Sequence, residues 1–200
     1  MIRRILLTTA VMCSIGALAA CNQPEPAAPA EPAPAPAPET PAPTPSNVLT
    51  ANGFGPLRIG MTRAEVEAAM GADSNPGAVG GADPAACDIF HPSNAPEGLQ
   101  VMIENGVLTN VRLIRASTVT TDRGFKIGDA AATVKAAYGA SAEVVPHKYV
   151  EAPAEYVTVW SGADHTSAAA RGIKYEIGQD GNVQSIAGGG PSISYVEGCS

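Results

Sequence analysis

FGPLRIGMTRAEVEAAMGA, residues 54–72, opens as a turn and closes as a helix. Thr62 is placed to cap the helix, and Glu65, three residues on, completes a T-x-x-E capping box. Met61 and Val66 flank that box as a hydrophobic staple. Val66, Ala69 and Met70 form one apolar face, with Arg63, Glu65 and Glu67 outside it. Gly71 then supplies the left-handed position that stops the helix. A second stretch, GFKIGDAAATVKAAYGA at 124–140, runs parallel to the first. Laying Ile127-Gly128 over Ile59-Gly60 brings Val134 onto Val66 and Tyr138-Gly139 onto Met70-Gly71, all at an offset of 68. Here Asp129 reads as the cap, one residue earlier, and Val134, Ala137 and Tyr138 as the buried face. Self-similarity at a fixed offset points to a duplicated unit. Helices this short and this rich in alanine need a sheet to lie on.

The sheet is legible downstream. Leu99, Val101 and Ile103 alternate with Gln100, Met102 and Glu104, and Asn105-Gly106 turns the chain into 107–114. A two-residue Asn-Gly loop pairs Val101 with Asn110 and mixes the faces. A three-residue loop, 104–106, pairs Ile103 with Val107 and Val101 with Thr109. A one-residue slip flips a whole face, so the three-residue loop with Gly106 as a left-handed bulge is the expected register. Residues 172–177, the turn 178–181 and residues 182–186 echo this hairpin at an offset of about 75. Residues 154–160 read as a further strand, 88–91 and 147–150 as shorter ones. The expected fold is α+β. Two tandem helix-plus-antiparallel-sheet repeats, 47–116 and 117–200, make one domain of 154 residues, enough for a shared core.

Upstream the material changes. Ten of the 25 residues at 22–46 are proline, interleaved with alanine and the acids Glu25, Glu31 and Glu39, without Lys or Arg. Such a stretch lacks backbone donors and apolar mass, so a disordered, polyproline-like tether over 21–46 is expected. At about 3.1 Å per residue it holds the domain some tens of ångströms from its anchor. Before it, Arg3 and Arg4 precede an apolar run over 5–18, too short to cross a bilayer as a mature helix and of signal-peptide length.

Leu18-Ala19-Ala20-Cys21 resembles the lipobox of bacterial lipoproteins. The resemblance implies removal of a signal peptide 1–20, lipidation of Cys21 (palmitate among the chains), and anchorage in the bacterial cell envelope. Asn22, where an Asp would retain a lipoprotein in the inner membrane, favours the periplasmic face of the outer membrane. Acyl chains contribute about 0.8 kcal/mol per buried methylene, so several make a stable anchor. The segment G-P-L-R-I-G-M-T-R-A-E-V-E-A-A-M-G at 55–71 is similar to the repeat opening of β-lactamase-inhibitory-protein-like domains and of the SmpA/OmlA outer-membrane lipoproteins. Gly60, Met61, Thr62, Val66 and Gly71 carry the match over about 20 residues, and the second copy keeps Gly128, Val134 and Gly139. The SmpA/OmlA resemblance implies a protein-binding accessory or scaffolding lipoprotein. The other implies an inhibitor of a periplasmic or secreted hydrolase. Neither carries over a binding residue.

Without residues 1–20 the chain keeps 10 of its 12 Lys+Arg, since Arg3 and Arg4 leave, against 19 Asp+Glu, a formal charge of −9. That balance disfavours nucleic acid and anionic headgroups as partners; another envelope protein is the partner that the SmpA/OmlA resemblance implies. Cys87 and Cys199, alone in the domain, are an expected disulfide in an oxidising compartment. It would close a loop of over a hundred residues and contribute about 2–4 kcal/mol. Catalytic signatures are missing. His91, His147 and His165 have no metal-ligand spacing, although His91 and His147 hold corresponding places in the two repeats. Ser161, Asp164 and His165 crowd one polar loop without a nucleophile elbow. Gly188–Gly190 read as a closing loop rather than a phosphate loop, and Glu65 already has its capping role. No catalytic residue, metal or cofactor is therefore expected, and a hydrolase using Ser161 or His165 is the remotest reading. Tyr156, Thr158 and Trp160 share one face of their strand, Val157 and Val159 the other. If the valines face the helices, Tyr156 and Trp160 form a candidate protein-binding face; otherwise they are the core.

Overall fold

The computed structural model describes residues 47–78 and 81–199. The signal segment 1–20, Cys21 and the tether 22–46 lie outside the described residues. Two short strands, β1 (Leu49–Thr50) and β2 (Gly53–Phe54), pair ahead of helix α1 (Arg63–Met70). Strands β3 (Cys87–Phe90), β4 (Leu99–Glu104) and β5 (Val107–Leu113) follow as a meander. Helix α2 (Ala131–Tyr138) leads through one 3-10 turn to β6 (Glu143–Pro146), β7 (Glu155–Trp160), β8 (Gly172–Ile177) and β9 (Val183–Gly189). All seven strands from β3 to β9 form one antiparallel sheet, in the order β3-β4-β5-β9-β8-β7-β6. The class is α+β. The two meanders are joined at the centre, where β5 lies against β9.

The helices fasten to their hairpins in the same way. In the first half Gly60 N–H donates to Leu108 C=O (2.8 Å), Leu108 N–H to Met61 C=O (2.7 Å) and Arg63 N–H to Gly106 C=O (3.0 Å). In the second, Gly128 N–H donates to Val183 C=O (2.9 Å), Val183 N–H to Asp129 C=O (2.9 Å) and Ala131 N–H to Gly181 C=O (3.0 Å). The helix-side partners differ by 68 in number and the hairpin-side partners by 75. Gly60 and Gly128 turn into their helices at φ of 98° and 92°, a conformation that suits glycine. Where β5 meets β9, Arg112 lies opposite Ala187, themselves 75 apart. The meanders therefore run outward from that pair in opposite directions.

Caps follow local chemistry. Thr62 caps α1 and forms the full box with Glu65: the Glu65 carboxylate accepts from Thr62 N–H at 2.7 Å, and Thr62 Oγ1 accepts from Glu65 N–H at 3.3 Å. The bond from Thr62 N–H, with a second from the Thr62 hydroxyl at 2.8 Å, holds the Glu65 carboxyl below its ordinary range. Asp129 does not cap α2. The N-cap is Ala130, without a side-chain bond, because Asp129 turns back to accept from Lys126 N–H at 2.9 Å. Gly71 and Gly139 end the helices at positive φ, with ψ of 159° and −129° rather than left-handed helical values. A Cβ on Gly71 would lie 2.2 Å from Ser93 Oγ.

Three local expectations are corrected. The first hairpin turns on two residues, Asn105 and Gly106, both at positive φ, with Glu104 opposite Val107. A bulge then restores the faces: Ile103 pairs with Leu108 and Met102 with Asn110, so Thr109 is the extra residue and Val101 meets Val111. In the second hairpin the extra residue is Gln184, 75 beyond Thr109. Residues 147–150 are no strand, since His147 Nδ1 accepts from Tyr149 N–H and Val150 N–H and folds them into a turn. Gly188 and Gly189 belong to β9 rather than to a loop. A Cβ on Gly189 would lie 2.4 Å from Thr109 O, and one on Gly188 equally close to Thr50 O.

The core fills the helix side of the sheet. Val66 and Val134 from the helices meet Val101, Leu108, Val111, Val157, Tyr175, Val183 and Ile186, all fully buried. Phe125, Tyr138 and Tyr175 pack with ring centroids 6.0 Å apart, and the Tyr138 and Tyr175 hydroxyls bond at 2.8 Å. Burial drives the Tyr175 phenol well above its ordinary pKa. Local features interrupt both sheet edges. Just past the end of β3, Ser74 N–H bonds His91 C=O and Asp73 bridges Pro92. At β6 the His147 N–H to Ala154 C=O bond fixes the ladder phase, so Val144 and Pro146 turn their backbone groups outward. Pro146 has no N–H to offer there.

Candidate functional site

Alternation along β7 and β8 decides which side chains leave the core. Val157, Ile173, Tyr175 and Ile177 join the helix-side cluster. Tyr156, Thr158, Trp160, Lys174 and Glu176 therefore project from the outer face. The valines face the helices, and the aromatic face is not the main core. Tyr156 and Trp160 lie on that outer face, but neither is a free platform. Tyr156 is 6% exposed. The His147 ring stacks on it at 4.5 Å, and Lys174 Nζ sits 4.4 Å from its centroid. Trp160 stacks on His165 at 4.8 Å, nearly coplanar.

Between these rings lies a shallow trough of about 190 Å³. Tyr156, Thr158, Trp160 and Lys174 line it, with Glu143 and Val145 of edge strand β6 on one side and Ser194 on the other. Val144, Val145, Tyr149 and Val150, at and just beyond that edge, are exposed. Lys174 is the main polar element. Its ammonium donates to Tyr195 C=O (3.0 Å) and to Ser194 C=O (3.5 Å). Burial, and secondarily the Arg112 guanidinium, lower its pKa to about 8. The Glu176 carboxylate is taken up by His147 (3.3 Å) and Ser185 Oγ (2.9 Å).

Residues 191–199 cover another part of the outer face, while Gln100, Arg112 and Ser185 stay half-exposed. A 3-10 turn, Pro191–Ser194, lies against β5, β8 and β9, and the chain then crosses to β3. There Cys199 joins Cys87 in the expected disulfide, across a separation of 112 residues. Asn110 Nδ2 donates to Ser192 Oγ at 3.1 Å, and Tyr149 Oη donates to the Glu197 carboxylate.

The remaining candidates do not converge. His91 follows β3 and His147 follows β6, the two edge strands, so the pair is held apart. Asp164 accepts from Thr166 N–H (2.9 Å) and Ser167 N–H (3.1 Å), and those bonds pull its carboxyl well below the usual range. The His165 nitrogens face Gly162 O (3.0 Å) and Glu143 (3.6 Å) rather than Ser161. Among the described residues, no His/Cys/Asp/Glu group could hold a metal ion, and no helix is long and apolar enough to cross a membrane. Lys174, Val145 and Ser194 were not anticipated from sequence. The run Ile173-Lys174-Tyr175-Glu176-Ile177 does carry the signal, since period two sends Lys174 to the side of Tyr156. Comparison with protein-family models, curated proteins and solved structures finds no match to this chain.

Proposed function

We propose that this chain is a lipid-anchored protein of the bacterial cell envelope that binds another envelope protein through the outer face of its sheet, as a non-enzymatic accessory or scaffold at the outer membrane. The anchor rests on Leu18-Ala19-Ala20-Cys21 and the tether on the prolines of 22–46. The observation that carries the binding reading is the direction of Tyr156 and Trp160: both leave the side of the sheet that the helices cover, beside exposed apolar residues of β6. In the same reading the two halves are copies of one helix-plus-meander unit. The matched helix-to-hairpin bonds and matched bulges support that descent.

The test is crosslinking of tagged, lipidated protein in native envelopes, followed by mass spectrometry, beside a Cys21→Ser form. The expected result is recovery of outer-membrane proteins by the lipidated form, with crosslinks from Lys174 or the 143–150 edge. Capture of one soluble hydrolase by both forms would replace the accessory role with inhibition. Crosslinks confined to the helix side would remove the outer face from consideration.

A further inference from the structure

The end of the chain is built as a cover with one covalent fastening. Its buried residues belong to a layer apart from the main core: Ile193 is fully buried, yet the helix-side cluster contains no residue beyond Ile186. Ile193 is seated against Gly172, where a Cβ would meet its Cδ1 at 3.0 Å. Beyond Ile193 the attachment thins, with Ser194, Tyr195 and Glu197 exposed. Gly198, at φ 65°, rests on Ile89 so closely that a Cβ would lie 2.7 Å from its Cδ1. Apart from the disulfide, the fastenings include polar side-chain bonds, Asn110 to Ser192, Lys174 to the Ser194 and Tyr195 carbonyls, Tyr149 to Glu197 and Tyr195 to Glu104, and a backbone bridge between Gly81 and Cys199. Cys87 and Cys199 are both partly exposed. Beneath the cover lie Met102 and Asn110, each 1% exposed, with Ala187 and Lys174 beside them.

We infer that Cys87–Cys199 is a release catch: its reduction by a dithiol frees residues 194–199 from the outer face while the helix-side core stays folded. The inference rests on the reading that this face binds protein, whose accessible area it would regulate. A thiolate of the dithiol attacks one sulfur of the pair and the other cysteine leaves as a thiolate. The second thiol of the reductant then attacks the mixed disulfide, closes its own disulfide and releases the remaining cysteine. Two electrons pass to Cys87 and Cys199, and the dithiol is oxidised. Release uncovers Ile89 and strips Lys174 of its two carbonyl acceptors, which opens the trough beside a cation.

Hydrogen–deuterium exchange on the full chain, oxidised and in dithiothreitol, tests this, with Cys87→Ser/Cys199→Ser as the genetic equivalent. Peptides covering 194–199 should exchange at least ~10-fold faster on reduction, while those covering 99–113 and 172–186 change less than ~2-fold. Unchanged protection of 194–199 would overturn the catch, because the polar bonds alone would then hold the cover. Loss of protection throughout the sheet would overturn it too, by making the disulfide a staple of the whole domain. Partner crosslinking run on the same samples separates the two readings. A cover that loosens without any captured partner counts against the binding role alone, and a captured partner with an immobile cover counts against the catch alone.

Discussion

The two halves of the domain fasten helix to hairpin alike and differ in what surrounds that joint: β1 and β2 precede α1, whereas β6 follows α2. Each helix starts from a glycine at positive φ and takes the same three bonds from its hairpin, and each hairpin carries one extra residue at the same place. The side chains diverge. The first helix has a capping box and the second has alanine at that position. Where Val101 fills the first half, Tyr175 fills the second, as their partners Val111 and Ile186 show. Gln100, opposite Arg112, corresponds to Lys174, opposite Ala187. Main-chain bonds are thus what the two joints have in common, and the side chains around them are not.

Breaking the comparison at its core gives the largest effect. Tyr175→Ala should cost about 3–5 kcal/mol, through the cavity and the loss of the Tyr138 partner, while Val101→Ala should cost about 2 kcal/mol. Urea unfolding of the two variants checks this, and equal costs would deny that the second half depends on its aromatic cluster.

Next comes the charged row. Lys174 carries a folded pKa of about 8 against an ordinary 10.5, so between those values the unfolded chain binds the extra proton and stability rises with pH. The buried tyrosines, whose pKa values are raised in the folded state, lose stability above their ordinary pKa and close that window near pH 10. Wild type should gain about 1–2 kcal/mol from pH 8 to pH 9.5 relative to Lys174→Gln, which gives the second half the residue of the first. Parallel pH profiles of the two proteins would show that Lys174 is not desolvated.

Smallest is the exchange of caps. Thr62→Ala should cost about 1 kcal/mol, and Ala130→Ser, at an exposed position, should gain about 0.5–1 kcal/mol. Thermal unfolding of both variants reads the difference. No gain from Ala130→Ser would mean that Thr133 N–H, which already bonds Ala130 C=O at 3.0 Å, takes no side-chain acceptor.

Much of this plan is written in short-range sequence. The T-x-x-E box, the Ile-Gly pairs and the alternating runs at 99–104 and 172–177 name their own conformations, because each depends on neighbours three or four residues away. The first hairpin departs from the three-residue loop because a bulge at Thr109 leaves no compositional mark; a two-residue turn mixes the faces until the extra residue is counted. Asp129 was misread as a cap because Lys126 N–H, three residues back, competes for its carboxylate. The outer-face trough was only half legible: alternation separates Tyr156 and Trp160 from the valines, but the covering by Pro191–Ser194 depends on a chain end that sequence spacing cannot place. Cysteine arithmetic found the pair that fastens that end, and could not say which face it crosses.

Pro146 has a consequence on a larger scale. A sheet whose last strand offers a full row of donors and acceptors is a seed, able to recruit the same strand from a neighbour and grow without limit. Here the outward row of β6 contains Val144 and then a residue with no hydrogen to give. Growth of the sheet through that edge is therefore disfavoured, since the row on which a fibre would build is missing a rung.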